Sequence, residues 1–347
     1  MSVESAVSAQ PVSEPIATRV ARQSRFFVTM SVHPATLWGG MFCLAAIVGA
    51  RTIAGTEFGQ ALVGAGAGAV ASAQETGVRP AVGQIDHIMV RTGHPDTLFT
   101  LFAEQFKLPV AWPLATRGGV TSGGVGFGNV NVEAIQFPGQ ISDTPSLVGV
   151  AFEPFASLSE SIAELDRRGI HYGSPRPFGV TTSNGSTTTL WTNVTLLSLS
   201  DSDRPADAKI HIFLGEYSPD YVDAAQRRVR LRSELSDAEG GPLGVERVVE
   251  VTIGTTDLGM SEGLWTQLLA PHAAPTERLW EVGSGPAIRL VGAAENTLQG
   301  LVIEVRSLEQ AERFLRDKAL LGAVSNGTIA LDASKVEGLR IRLVQGY

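Results

Sequence analysis

The chain has 347 residues, 44% hydrophobic and 18% charged, with a net charge of −8. That is a globular composition with length for two ordinary domains and a tail. A pI near 5.3 leaves no basic stripe to displace counterions from phosphates, which argues against a nucleic-acid partner. A lone cysteine, Cys43, excludes an internal disulfide and a cysteine-based zinc cluster.

Residues 1–80 stand apart. Arg19, Arg22 and Arg25 precede an uncharged run, WGGMFCLAAIVGA (38–50), and a second run, ALVGAGAGAVASA (61–73), ends in Ala71-Ser72-Ala73. Neither run alone reaches the roughly 20 apolar residues that cross a bilayer. A basic lead, an apolar run and a small-x-small exit predict an export signal, with a retained membrane anchor or a disordered tail as alternatives. Removal of this segment would leave a thiol-free chain, suited to the periplasm or the extracellular space.

The rest of the chain repeats itself. IDHIMVRTGHPDTLFTLFAEQFKLP (85–109) and VERVVEVTIGTTDLGMSEGLWTQLLAP (245–271) share a plan of apolar strand, turn, aspartate and helix. Asp96 and Asp257 are the expected N-caps, because a carboxylate there accepts from orphan backbone N–H groups. GVAFEPFASLSESIAELDRRGI (149–170) likewise matches GLVIEVRSLEQAERFLRDKAL (300–320), each with a Ser-Leu helix start and arginine near the helix end. Alternating apolar residues predict further strands at 110–114, 120–127, 129–137, 190–197, 210–217, 280–282, 287–291, 328–331 and 339–345. The unit strand–helix–strand–strand–strand thus occurs about four times, in two pairs. The pairs cover 83–225 and 244–347, joined by a charged, helix-like linker around 226–243. One unit is too small to bury a core; two together curl eight strands around a shared cleft.

The stretches IDHIMV, SGGVGFGNVNVEAIQF, IHIFLGEY and GLVIEVRSLEQAERFL, within residues 85–347, resemble the vicinal oxygen chelate superfamily of glyoxalases, bleomycin-resistance proteins and extradiol dioxygenases. The resemblance implies an α+β fold of paired βαβββ modules, forming two domains with a curled eight-stranded cleft. It also implies a divalent metal held by side chains from strands 1, 4, 5 and 8 of a module pair. The first pair offers His87, Glu133 and Glu216 at three of these positions, with Gly149 at the fourth. One imidazole and two carboxylates suit Mn, Fe, Ni or Zn and leave coordination positions for water and substrate. Glu133 and Glu216 are also the catalytic candidates, as a general base beside His87 with or without a metal. Asn131 shares a strand face with Glu133 as a substrate donor or supporting group, and Trp112, Phe127 and Trp191 are candidate cleft walls, with core packing as the alternative. The second pair offers Val248 or Glu250, Arg289 or Leu290, Gly300 and Arg342, which cannot cradle a cation.

The other histidines are blander. His94 belongs to a turn, His171 to a helix end and His272 to a loop, while His211 is expected to point away from the cleft. The implied function is a metal-dependent lyase, isomerase or dioxygenase acting on a small oxygenated molecule. The alternative is a non-enzymatic protein that binds or sequesters such a molecule. A membrane tether through the N-terminal segment and a homodimer are left open.

Overall fold

The computed structural model describes residues 79–140, 144–181, 185–272 and 277–346. The export or anchor reading of the N-terminal segment lies almost wholly outside them. Among the described residues no helix is long and apolar enough to cross a membrane.

The first module runs β1 (Val82–Arg91), α1 (Pro95–Thr100), a π-helical turn (Leu101–Gln105), β2 (Val110–Arg117), β3 (Val120–Gly126) and β4 (Asn131–Gln136). The second is β5 (Ser146–Pro154), α2 (Leu158–Arg168), β6 (Arg176–Thr181), β7 (Thr187–Thr195) and β8 (His211–Tyr217). Helix α3 (Ala224–Asp237) connects to the second pair. That pair holds β9 (Val245–Thr255), α4 (Leu258–Leu269), β10 (Leu279–Trp280) and β11 (Ala287–Gly292), then β12 (Thr297–Val305), α5 (Leu308–Asp317), β13 (Leu321–Ser325), β14 (Thr328–Leu331) and β15 (Ile341–Gln345). The expected α+β architecture of paired modules is present.

Local signals set the helix starts. Ser157 and Ser307 cap α2 and α5 by accepting from Glu160 N and Gln310 N at 3.3 and 3.2 Å, and Asp257 caps α4 from Met260 N at 3.0 Å. Asp96 departs from expectation. Helix α1 begins at Pro95, whose missing N–H is no loss in a first turn, so Asp96 falls inside the helix and His94 takes the cap position without a side-chain bond.

The eight strands of the first sheet lie in the order β2-β3-β4-β1-β5-β8-β7-β6, and the second sheet has seven, β10-β11-β9-β12-β15-β14-β13. The central pair β1/β5 is antiparallel, flanked by the parallel pairs β1/β4 and β5/β8. Side chains alternate across such a sheet. Ile88, Val132, Val150, Ile212 and Leu214 face the main core with Leu98, Phe102 and Leu165. Met89, Ile135, Val148, Ala151 and Phe213 form a separate, smaller cluster on the concave face. Strands β6 and β13 were not expected. They are mostly exposed edge strands, so burial imposes no alternation on their residues.

The two pairs are joined by several polar contacts, among them Thr92 to Glu337, Arg168 to the carbonyls ending α4, and one side-chain-to-backbone clasp. In the turn before β4, the Asn129 side chain donates to Val248 O and accepts from Val248 N, both at 3.0 Å. A side-chain amide thus stands in for a neighbouring strand beside β9. Helix α3 is more than a connection, because Leu231 and Leu235 are buried and its first turn reaches the concave face of the first sheet.

Candidate functional site

His87 projects onto the concave face from the middle of β1. Its Nδ1 lies 2.7 Å from Asp86 Oδ2, and its Nε2 lies 3.5 Å from Glu133 Oε2 on β4. The imidazole packs edge-on between Trp112 and Phe213, with ring centroids at 5.8 and 5.7 Å. Only 13% of the His87 side chain is exposed. The buried imidazole thus has a carboxylate at each ring nitrogen.

Each carboxylate has its own supports. Ser122 Oγ donates to Glu133 Oε1 at 2.5 Å, and Trp112 Nε1 donates to the same Ser122 oxygen at 3.1 Å. The glycines of the β3 hairpin make room for this. Gly124 pairs with Glu133 on one side and Trp112 on the other, and a Cβ there would collide with the indole ring. Asp86 accepts from Tyr217 OH at 3.0 Å and from Arg227 Nη2 at 2.5 Å. Asn131, expected as a supporting group, donates to Asp86 O at 3.0 Å and is buried. It fixes the β1 backbone beside the site.

These contacts set the charges. Burial alone would raise the Asp86 pKa, but the His87 hydrogen bond and the Arg227 charge hold it well below the carboxylate range. Burial alone would depress the His87 pKa; the Asp86 hydrogen bond and the Glu133 charge outweigh it, so His87 stands above its ordinary value. Glu133 is raised, chiefly by burial, against the opposing pull of His87 and Ser122. Nearby Glu153, paired with Arg228, is pushed up to about 7 by burial and by the Asp86 charge.

Other expected residues lie elsewhere. Glu216 shares the helix-facing side of β8 with Ile212 and Leu214, and its Oε1 accepts from Leu158 N at 2.8 Å, at the start of α2. It does not meet His87. Phe127 is in the main core, edge-on to Phe102 at 5.2 Å. Trp191 pairs directly with Tyr217 across β7/β8, on the same face of the sheet, and stacks on Phe178 at 4.2 Å. Trp112 and Phe213 are the aromatic walls at His87. His211 is corrected the other way. It lies on the concave side against Phe213 at 5.1 Å, and burial lowers its pKa to about 4. Asp86, Tyr217, Ser122 and Arg227 are the residues the sequence reading missed.

The implied metal can be tested against this donor set. Two donors converge, His87 Nε2 and Glu133. At the β5 position a Cβ on Gly149 would meet Met89 Sδ at 2.8 Å. On β8, Phe213 and Tyr217 occupy the positions near His87. Arg227 adds a positive charge. Among the described residues no group of three or more His, Cys, Asp or Glu side chains is arranged to hold a metal ion. The residues present do not fit a three-ligand metal centre. In the second pair, Glu250 is bound by Arg289 at 2.6 Å with Arg342 at 3.9 Å, so that carboxylate is already neutralised.

Two hollows adjoin these elements. A groove of about 340 Å³ is lined by residues including Arg91, Leu147, Lys209, Leu298 and Arg340, and shares no lining residue with the His87 group. A void of about 10 Å³, room for one water, lies between α3 and the β3–β4 turn, touching Asp86 and Leu231.

No protein-family model and no curated protein matches this chain. Similar solved structures include a hypothetical protein from Staphylococcus aureus, at 8% identity over 76% of this chain and 99% of that one, with a TM-score of 0.49. Homoprotocatechuate 2,3-dioxygenase from Brevibacterium fuscum, in complex with 3,4-dihydroxyphenylacetate, is 10% identical over 78% of this chain and 83% of that one, with a TM-score of 0.48. The 2,3-dioxygenase LapB from Pseudomonas sp. KL28 is 13% identical over 77% and 93%, again with a TM-score of 0.48.

Proposed function

We propose that this protein is a metal-independent acid–base enzyme of vicinal oxygen chelate type, moving a proton on a small oxygenated organic molecule at His87. The observation that carries this reading is the His87 imidazole held between Asp86 and Glu133 at 2.7 and 3.5 Å. Asp86 accepts the Nδ1 proton, which directs the reactive lone pair or proton to Nε2. Glu133, its pKa raised by burial, is the second proton carrier, and the two groups exchange one proton at that edge. Trp112 and Phe213 keep bulk water from it. Such a pair suits proton abstraction next to a carbonyl, followed by return of the proton at a neighbouring atom, which is isomerase chemistry; delivery of the proton to a departing β-substituent oxygen as its C–O bond breaks would make it a lyase.

The test is solvent-deuterium exchange into small α-hydroxycarbonyl compounds, followed by proton NMR. Exchange is expected with the parent, with loss in His87→Gln and Glu133→Gln and retention in Glu216→Gln. No exchange by the parent with any such compound would overturn the reading. A non-enzymatic binding protein is the second reading, favoured by the way α3 covers the site. Its mark would be a ligand that binds and is recovered unchanged. We also carry forward export from the cytoplasm, supported by the basic and apolar pattern of residues 1–80.

A further inference from the structure

Arg227 sits in a cage. Its guanidinium carbon lies 4.8 Å from the centroid of the Tyr217 ring and 5.5 Å from that of Trp112, and Nη2 meets Asp86 Oδ1 at 2.5 Å. Two aromatic faces and one buried carboxylate are how proteins recognise organic cations. Only 9% of the Arg227 side chain is exposed, yet its Nε is buried with no partner among the described residues. The occupant fills the cage without satisfying all of its own donors, a defect that costs a buried group dearly.

The element that delivers Arg227 is held chiefly by polar contacts. Helix α3 turns an inner stripe of Arg227, Leu231 and Leu235 to the sheet, at the four-residue spacing of one helix face, and the two leucines are the apolar residues it buries. Val229 is 71% exposed. The remaining anchors are polar, from Arg228 to Glu153 and from Arg230 to Val110 O, and a void remains beneath the helix. With so little apolar burial, what lifting α3 costs is chiefly these ion pairs, and a ligand cation at Asp86 replaces the buried one. With Arg227 withdrawn, the concave face keeps Asp86 and Glu133 around His87, a negatively charged pocket with two aromatic walls.

We propose that Arg227 is a built-in occupant of a cation site, and that the ligand of the His87 cleft carries a compact alkylammonium or guanidinium group that takes its place when α3 lifts. This rests on the acid–base reading for what happens next, since Trp112 and Asp86 also touch His87, so a cation in the cage sets the rest of the ligand beside Nε2. Recognition of the cation itself does not depend on proton transfer.

The experiment uses the full chain, with tetramethylammonium and ethylguanidinium as probes and neopentyl alcohol as the neutral counterpart. Calorimetry is expected to show saturable binding of the cations to the parent and none of the alcohol, with faster tryptic cleavage within α3 on saturation. Arg227→Ala, its fold checked by circular dichroism, is expected to bind ethylguanidinium about tenfold more tightly than the parent and to recover thermal stability with it. Trp112→Leu is expected to abolish binding. Equal binding of alcohol and cation, or an Arg227→Ala protein that binds cations no better than the parent, would overturn the proposal and leave Arg227 a structural ion pair. His87→Gln separates the two readings. Cation binding kept in that variant, with no proton exchange in the parent, sinks the acid–base reading alone.

Discussion

Asp86 and His87 are consecutive residues of one strand, yet their side chains meet at 2.7 Å. Neighbours in a regular strand point to opposite faces. Here the β1/β5 register shifts between Ile85 and His87, and the bulge turns both residues toward the same group of partners. That irregularity assembles the site. Asp86→Asn should leave Arg227 buried without a counter-charge and cost about 3–5 kcal/mol, read by urea denaturation. Asp86→Asn combined with Arg227→Met should recover most of the loss; no recovery would mean that the pair is not what the cost reflects.

Stability should depend on pH in two opposing ways. Glu153, with its pKa raised from 4.5 to about 7, favours the fold when protonated, so its contribution is complete below 4.5 and lost as pH rises to about 7. His87, raised above 6.5, contributes fully below 6.5 and loses that contribution above it. Asp86 is lowered from 3.8 and contributes above that value, losing its share on acidification. His211, lowered from 6.5 to about 4, works against Glu153 and His87, contributing fully above 6.5 and losing its share as pH falls toward 4. Melting temperature should therefore fall in strong acid, and the Glu153 contribution is read from its variant. Glu153→Gln should flatten the portion between 4.5 and about 7. A profile unchanged by that substitution would contradict the assignment.

Metal content is a direct check. Elemental mass spectrometry on the purified chain, after incubation with Mn, Fe, Ni and Zn, should find well below about one metal per chain. A stoichiometric metal lost in both His87→Ala and Glu133→Ala would restore the metal-dependent reading of the site.

Glu216 should behave as a helix-terminus residue. Glu216→Ala removes the acceptor for Leu158 N and should cost about 1 kcal/mol of stability, seen in thermal melts, while leaving proton exchange at His87 unchanged. An exchange rate that falls with Glu216→Ala and returns with Glu216→Asp would instead assign it a part in the chemistry.

The modules, their pairing and the His87–Glu133 couple were legible because they rest on alternation and repetition. Asn131, Glu133 and Ile135 fall on one parity of β4 and Val132 and Ala134 on the other, as the pattern indicates. In β8 both parities carry apolar residues. Ile212 and Leu214 turned out to mark the core side, which took Glu216 with them and left Phe213 and Tyr217 to the site. One register step reverses every such assignment. Asp86 was hidden by the bulge, although the core positions Val82, Ile85 and Ile88, three apart, already break a two-residue period. Arg227 was hidden because a charged helix between domains reads as a linker. Its signal is an arginine where the four-residue stripe calls for a third leucine.

The amide of Asn129, held to both backbone atoms of Val248, bears on how copies of this chain can associate. Duplicated folds joined by a helix are prone to exchange halves between molecules, each half finding its counterpart in a second chain. Exchange here must first break a two-bond clasp that recognises backbone rather than any particular side chain. Re-forming it in a partner gains nothing over keeping it at home, where the tethered half is always present at high effective concentration. Asn129→Ala removes the clasp without touching the residues around His87, and with it one guard against entangled dimers during refolding.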